Sequence, residues 1–381
     1  MQRDDFINVK RIVIKIGTNV LRNNEGEVAL SRIYSFIEDI AELIKAGKEV
    51  IVVTSGAVGL GKKKLKLEVT EGDGIKQACA AVGQSSLMSY YENGFGVYDI
   101  PVAQILLTED DFSLRHRYLS LRTTLNKLIE LGVVPVINQN DTVSTIELED
   151  ILAGMKVSFS DNDKLSALVA SELDADLLII LSDIDGLYTA NPREDATAKL
   201  IREVKCVTDE VLALGADASE GGRGGMKTKL EAAKLVTRFG GKVLIANGKK
   251  PYVINRIFSG EEVGTMFIPS DETLSGKKRW IGYATNVFGK LVVNNGAKDA
   301  ILNKNTSLLP IGIIKVVNYF NQGEVVSVCD EAGEEFARGI VNYNSEECVK
   351  IAGVHSDDII KLIGHKNYDA VITRDNITRL V

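Results

Sequence analysis

Five short, almost continuously apolar runs restrict the fold of this chain more than any other feature: Ile12 to Ile16, Val50 to Val53, Val133 to Ile137, Leu177 to Leu181 and Val243 to Ala246. A strand with one wet face alternates apolar and polar residues, so continuous apolarity predicts strands covered on both faces. Between the runs the period becomes helical. Ile33, Phe36, Ile37, Ile40, Leu43 and Ile44 fall on one helical face, with Ser31 expected as N-cap and Gly47 just past the end. Further helices are predicted over 75–91, 116–131, 163–173 and 227–239. Strand and helix therefore alternate, which gives an α/β fold: an open, mainly parallel sheet with helices on both faces. In such sheets ligands bind beyond the C-terminal ends of the strands.

After about Gly264 the character changes. Pro269-Ser270-Asp271-Glu272-Thr273 and Ser275-Gly276-Lys277-Lys278-Arg279 form a polar stretch that reads as a linker. Beyond it, Glu324 to Cys329 and Phe336 to Tyr343 are joined by the turn Asp330-Glu331-Ala332-Gly333, as expected of a small, mostly antiparallel or barrel-like unit. The expected division is a first domain over 1–268, a linker over 269–286, a β-rich domain over 287–372 and a tail over 373–381. A length of 381 residues, 45% of them hydrophobic, supplies more than one core.

Several functions are disfavoured. The net charge is -7, and residues 287–372 hold 8 Lys and Arg against 11 Asp and Glu, a poor footprint for RNA. The four cysteines form no C-x-x-C pair and are expected to be core thiols. Cys348, His355 and His365 are better read as packed residues than as metal ligands. The apolar runs are too short to cross a bilayer, and the start Met-Gln-Arg-Asp-Asp has no apolar signal core, so a cytoplasmic protein with no membrane partner is expected.

The polar clusters lie just beyond the strands. Lys15-Ile16-Gly17-Thr18 places a lysine where it either reaches a phosphate or snorkels from the sheet. Thr54-Ser55-Gly56-Ala57-Val58-Gly59 follows a strand and offers amides and a hydroxyl to an anion, or an ordinary helix cap. Asn138-Gln139-Asn140-Asp141 and Asp161-Asn162-Asp163 fit ligand contacts as well as Asx capping. Gly221-Gly222-Arg223-Gly224-Gly225-Met226-Lys227-Thr228-Lys229 leads into a helix whose N-terminus attracts phosphate, although Met226 breaks the Walker A pattern; the alternative is a mobile glycine loop. These clusters supply two lysines, Asp163 and amide-rich loops, but no histidine base. A carboxylate acceptor is already ionised at neutral pH and needs none, so phosphoryl transfer to a carboxylate fits the inventory.

Lys15-Ile16-Gly17-Thr18, Val53-Thr54-Ser55-Gly56-Ala57, Ala81-Val82-Gly83-Gln84, Leu107-Thr108, Pro135 to Asp141, Asp161-Asn162-Asp163 with Leu165-Ser166-Ala167-Leu168, Gly186-Leu187-Tyr188-Thr189 and Gly224-Gly225-Met226 together resemble the glutamate 5-kinases of the amino acid kinase superfamily. Asn295-Gly296-Ala297, Ser307 to Pro310 with Gly312-Ile313, Phe320 with Gly323, Ala337-Arg338-Gly339 and Arg374-Asp375-Asn376 resemble a PUA domain. The resemblance implies phosphorylation of L-glutamate by ATP, with Mg²⁺ held mainly by nucleotide phosphates and water, as the first step toward proline. It further implies that Lys15 and Lys229 stabilise the transferring group, that Asp163 orients them, and that Ser55, Asp141 and Asn162 hold the acid. Nucleotide contacts would come from Lys15, Ser182, Asp183, Arg223, Gly224, Gly225, Met226, Lys227, Thr228 and Lys229. Proline as feedback inhibitor, a homo-oligomer and hand-off of product to glutamyl phosphate reductase are likewise implied. Gln139, Ser160 and Arg223 depart from the usual family residues, which are glutamate, glycine and threonine.

Overall fold

The computed structural model describes residues 6, 8–23, 28–67, 74–143, 162–215, 225–269 and 276–380. The chain divides into two compact units, one of Met1–Asp111 with Tyr118–Thr273, the other of Phe112–Arg117 with Leu274–Val381.

In the first unit the five predicted apolar runs all form strands: β1 (Arg11–Ile16), β2 (Glu49–Val53), β4 (Val134–Gln139), β5 (Leu177–Ser182) and β7 (Lys242–Asn247). Three further strands were not anticipated, β3 (Val102–Leu107), β6 (Glu203–Val204) and β8 (Thr265–Phe267). The sheet order is β3-β4-β2-β1-β5-β7-β8-β6, so β3 and β6 are its edge strands and β8 lies next to one edge. There they are short or only partly buried and lack a continuous apolar signal. Every pairing is parallel except β7 with β8. β5 is buried at all of its residues, as a strand covered on both faces must be.

The helices used below are α1 (Leu30–Lys45), α2 (Ala57–Lys64), α3 (Ile75–Gly96), α4 (Arg115–Glu130), α5 (Asn162–Glu172), α6 (Met226–Thr237) and α7 (Val253–Phe258). On α1 the expected apolar face is buried, but Ser31 is not its cap. The N-cap is Ala29, two residues earlier, and backbone carbonyls take three of the first four amides without a cap side chain: Ala29 N–H bonds Leu21 O, Leu30 N–H bonds Val28 O and Arg32 N–H bonds Ala29 O. Gly47 stands past the end at φ 81°, and Lys48 N–H closes on Leu43 O, as a left-handed C-terminal stop requires. Ile33, Phe36, Ile37 and Ile40 pack with Ile12, Ile14 and Ile16 of β1 and with Ile254 and Ile257 of α7. Each such buried side chain contributes roughly 1.5–3 kcal/mol.

The second unit has a five-stranded sheet, β10-β9-β11-β12-β13, built from β9 (Gly289–Val293), β10 (Ile313–Val317), β11 (Val325–Cys329), β12 (Glu335–Ile340) and β13 (Ile377–Arg379). All pairings are antiparallel except β9 with β11, and bulges interrupt β10 against β9 and β12 against β11. Leu291, Val328, Phe320, Tyr343 and Ile359 form part of its core. Within the stretch read as a linker, Trp280 is buried and its Nε1–H donates to Phe112 O at 3.0 Å. Cys79, Cys329 and Cys348 are buried as expected, whereas Cys206 is exposed, two residues beyond the short edge strand β6. Among the described residues no group of three or more His, Cys, Asp or Glu could hold a metal, and no helix is long and apolar enough to cross a membrane.

Two features of the first unit have measurable consequences. α2 and α3 cross at Gly61 and Gly83; a Cβ on Gly83 would lie 1.8 Å from Ala57 O, and one on Gly61 1.8 Å from Cys79 O. Alanine ordinarily gains up to about 1 kcal/mol over glycine inside a helix. Here the obstacle is backbone, so Gly61→Ala or Gly83→Ala is expected to lower the unfolding free energy by roughly 1–3 kcal/mol in urea titrations. Asp39 of α1 is fully buried, and its oxygens meet no hydrogen-bond partner within ordinary limits among the described residues. Burial pushes its carboxyl up to about 6, opposed in part by the nearby amides of Asn255 and Ile254 and reinforced by Glu42 and Glu38. The folded state thus holds this proton more tightly than the unfolded chain, and stability is lost as pH rises from about 4 through 6. Asp39→Asn is expected to stabilise the protein by up to about 3 kcal/mol at pH 8 and to lose most of that advantage at pH 4, read from melting curves at the two pH values.

Candidate active site

Strand alternation sets the first element of the site. Ile14 and Ile16 enter the cluster under α1, so Lys15 between them turns to the opposite face of the sheet, where α5 packs on β1. The chain order also reverses here: β1 pairs with β2 on one side and with β5 on the other, leaving a crevice beyond their C-terminal ends.

α5 carries Asp163 in its first turn, and α6 carries Lys229 one turn from its start. The three side chains converge. Lys15 Nζ lies 2.6 Å from Asp163 Oδ1 and Lys229 Nζ 3.0 Å from Oδ2. Their exposures are 4%, 0% and 5% for Lys15, Asp163 and Lys229, so water screens these pairs poorly. Thr228 Oγ1 lies 3.0 Å from Asp163 Oδ2 and 2.9 Å from Gly225 O, and Lys229 Nζ also reaches Gly225 O at 3.4 Å. Burial alone would raise the Asp163 carboxyl; the ammonium groups of Lys15 and Lys229 outweigh it and hold it well below the usual carboxylate range. Asp163 is therefore an anion that fixes two cations, and not a helix cap.

A second polar cluster adjoins it in sequence. Asn162 Nδ2 is 2.9 Å from Thr54 O, 2.8 Å from Ser55 Oγ and 3.2 Å from Asn138 Oδ1. Ser55 and Asn162 are thus brought together, from the loop after β2 and the start of α5. Asp141 lies two residues beyond β4, half-buried in a turn. Beneath them Thr54 Oγ1 bonds Tyr91 OH at 2.8 Å, and burial pushes the Tyr91 hydroxyl up to about 12 against the opposing bond to Thr54. Tyr91, Gln84 and Asn138 were not assigned roles from the sequence; the Asn138 cluster and the Ala81 to Gln84 motif were the available signals.

On the other flank Ser182 closes β5, its Oγ 3.3 Å from Asp183 Oδ1, and Asp183 Oδ2 accepts from Asn19 Nδ2 at 3.2 Å. Gly225 is the N-cap of α6 and Met226 is buried, which anchors the helix start. Lys227 is exposed and takes no part in the Lys15, Asp163 and Lys229 cluster. Arg223, Gly224, Ser160 and Asp161 lie outside the described residues.

The profile of the Amino acid kinase family matches residues 10–247, and that of the PUA domain matches residues 289–363. The glutamate 5-kinase of Caldanaerobacter subterraneus subsp. tengcongensis is 45% identical over 97% of this chain and 98% of its own length. That of Methanosarcina mazei is 46% identical over 99% and 98% of the two chains, and that of Geobacter sp. strain M21 is 44% identical over the whole of both. With relatives this similar along nearly its entire length, the chain belongs to the glutamate 5-kinases of the amino acid kinase family and carries the PUA domain as its second module.

Proposed function

We propose that this protein transfers the γ-phosphoryl group of ATP to the side-chain carboxylate of L-glutamate, releasing ADP and L-glutamyl 5-phosphate, the first step toward proline. The observation that carries the reading is the convergence of Lys15 and Lys229, 214 positions apart, on the two oxygens of one buried carboxylate. Asp163 by itself neutralises one of those two charges. A pair of ammonium groups held in a poorly screened place is suited to the negative charge that spreads over the transferring oxygens.

In the proposed step a γ-carboxylate oxygen attacks the terminal phosphorus in line, the new O–P bond forms, and the bond to the bridging oxygen of ADP breaks. The acceptor is already an anion, so no proton has to be removed and no base is required. Ser55 and Asn162 would hold the acid, and Asp141 would meet its ammonium group. Ser182, Asp183 and the segment from Arg223 to Lys229 would hold the nucleotide. Mg²⁺ would enter on the nucleotide phosphates, because Asp163 has both oxygens committed to lysines and is not placed to ligate a metal.

Glutamate-dependent ADP release tests the assignment. Lys15→Ala and Lys229→Ala are each expected to lower kcat by about two orders of magnitude or more, as when a donor to a transition-state anion is removed. Near-normal turnover in both would overturn it, and trapping the acyl phosphate as hydroxamate from L-glutamate, N-acetyl-L-glutamate and L-aspartate identifies the acceptor. Asp163 supplies a further check. Its folded pKa is depressed, so its contribution to stability is complete above the unfolded value near 3.9 and is lost as pH falls through the folded one. The stability gap between wild type and Asp163→Asn is therefore expected to stay constant above about pH 5 and to narrow below about pH 4.

A further inference from the structure

Three amides, the buried Gln84 and Asn138 and the half-buried Asn162, run from α3 across the end of β4 to the start of α5. Two backbone groups decide how all three are turned. The Gln139 N–H donates to Asn138 Oδ1 at 2.9 Å, which assigns that atom as the oxygen and leaves Asn138 Nδ2 to donate to Gln84 Oε1, also at 2.9 Å. The Thr54 carbonyl can only accept, so the atom of Asn162 facing it at 2.9 Å is Nδ2. That nitrogen has three acceptors within 3.2 Å and two hydrogens to give. A flipped Asn162 would set its oxygen against Thr54 O and Asn138 Oδ1, two acceptors with no hydrogen between them.

Each end of this chain of amides has one open atom. Asn162 Oδ1 and Gln84 Nε2 are buried and meet no hydrogen-bond partner among the described residues. An unfilled buried acceptor is costly, and in a residue beside Ser55 it is the group that an ammonium donor would satisfy. Gln84 and Asn138 are 6% and 2% exposed, so their orientation is not left to solvent. If Gln84 ceased to accept, Asn138 would keep the Gln139 N–H on Oδ1 but lose the acceptor for Nδ2, one of the two bonds that hold its amide plane, and the Oδ1 that Asn162 Nδ2 meets at 3.2 Å would be held less firmly.

We propose that Gln84 is a positioning residue for the acceptor substrate: acting through Asn138, it helps hold Asn162 with Oδ1 presented as a further acceptor, besides Asp141, for the ammonium group of an amino acid. This rests on the reading of Asn162 as part of the acceptor site. It gives a function to the Ala81-Val82-Gly83-Gln84 motif that the catalytic scheme leaves unused.

The test compares Gln84→Met, which has nearly the same shape and no acceptor, with Gln84→Glu, which keeps one. KM for the amino acid, KM for ATP, kcat and Tm are measured with whichever of the three acids named above the wild type phosphorylates. A wild-type preference for another acid overturns the glutamate reading but leaves the comparison of variants intact. Gln84→Met is expected to raise the acceptor KM about tenfold and to leave the ATP KM within about twofold, and Gln84→Glu to recover most of the lost affinity. An unchanged acceptor KM in folded Gln84→Met overturns the proposal; so do equal rises in both KM values with Gln84→Glu no better than Gln84→Met. Should Gln84→Met fail to fold, Gln84→Glu and Asn138→Asp are combined. The double variant sets two carboxylates face to face and is expected to raise the acceptor KM beyond the product of the single effects, whereas simple multiplication of those effects overturns the proposal.

Discussion

The buried carboxylate of Asp163 is the constraint on which the arrangement of the first unit's charged cluster depends. It lies between a strand and two helices that are remote in the chain, and each of its oxygens is committed to a different ammonium group. Taking three charges out of water is expensive, so such a cluster is a poor device for stability alone. What it provides is geometry. Lysine is a flexible point charge on a four-carbon stem, and a shared anion removes that flexibility before any ligand arrives.

The same economy of position appears in the acceptor cluster. Asn162 and Asp163 are consecutive, yet their side chains serve different groups: one is turned by the backbone at the end of β2, the other by lysines from β1 and α6. A helix start is suited to this because its first residues face different directions, and its amide ends favour an anion at Asp163. Displacing α5 would therefore disturb both clusters at once.

The interior of the fold was legible because β1, β2, β4, β5 and β7 are covered on both faces and carry continuous apolar residues. The edge strands β3 and β6 and the penultimate β8 were not, since their burial is partial or their length two or three residues. Ser31 satisfied the composition rule for a cap, but the helix begins before it and backbone carbonyls take the Ala29, Leu30 and Arg32 N–H groups. For the site, residue types suggested a carboxylate acceptor, but spacing could not have joined Lys15 to Lys229; that pairing came from resemblance and is visible only once β1, α5 and α6 are assembled. The amide relay was illegible for a stronger reason, because it depends on which end of each amide faces its neighbour.

The crossing of α2 and α3 bears on motion. Where a carbonyl of each helix sits against a bare Cα of the other, the two cannot slide or rotate past one another without collision, so they form a single rigid block. That block carries the loop following Ser55 at one corner and Gln84 and Tyr91 along its length. Any motion of the surrounding loops must then hinge elsewhere, leaving this block unmoved.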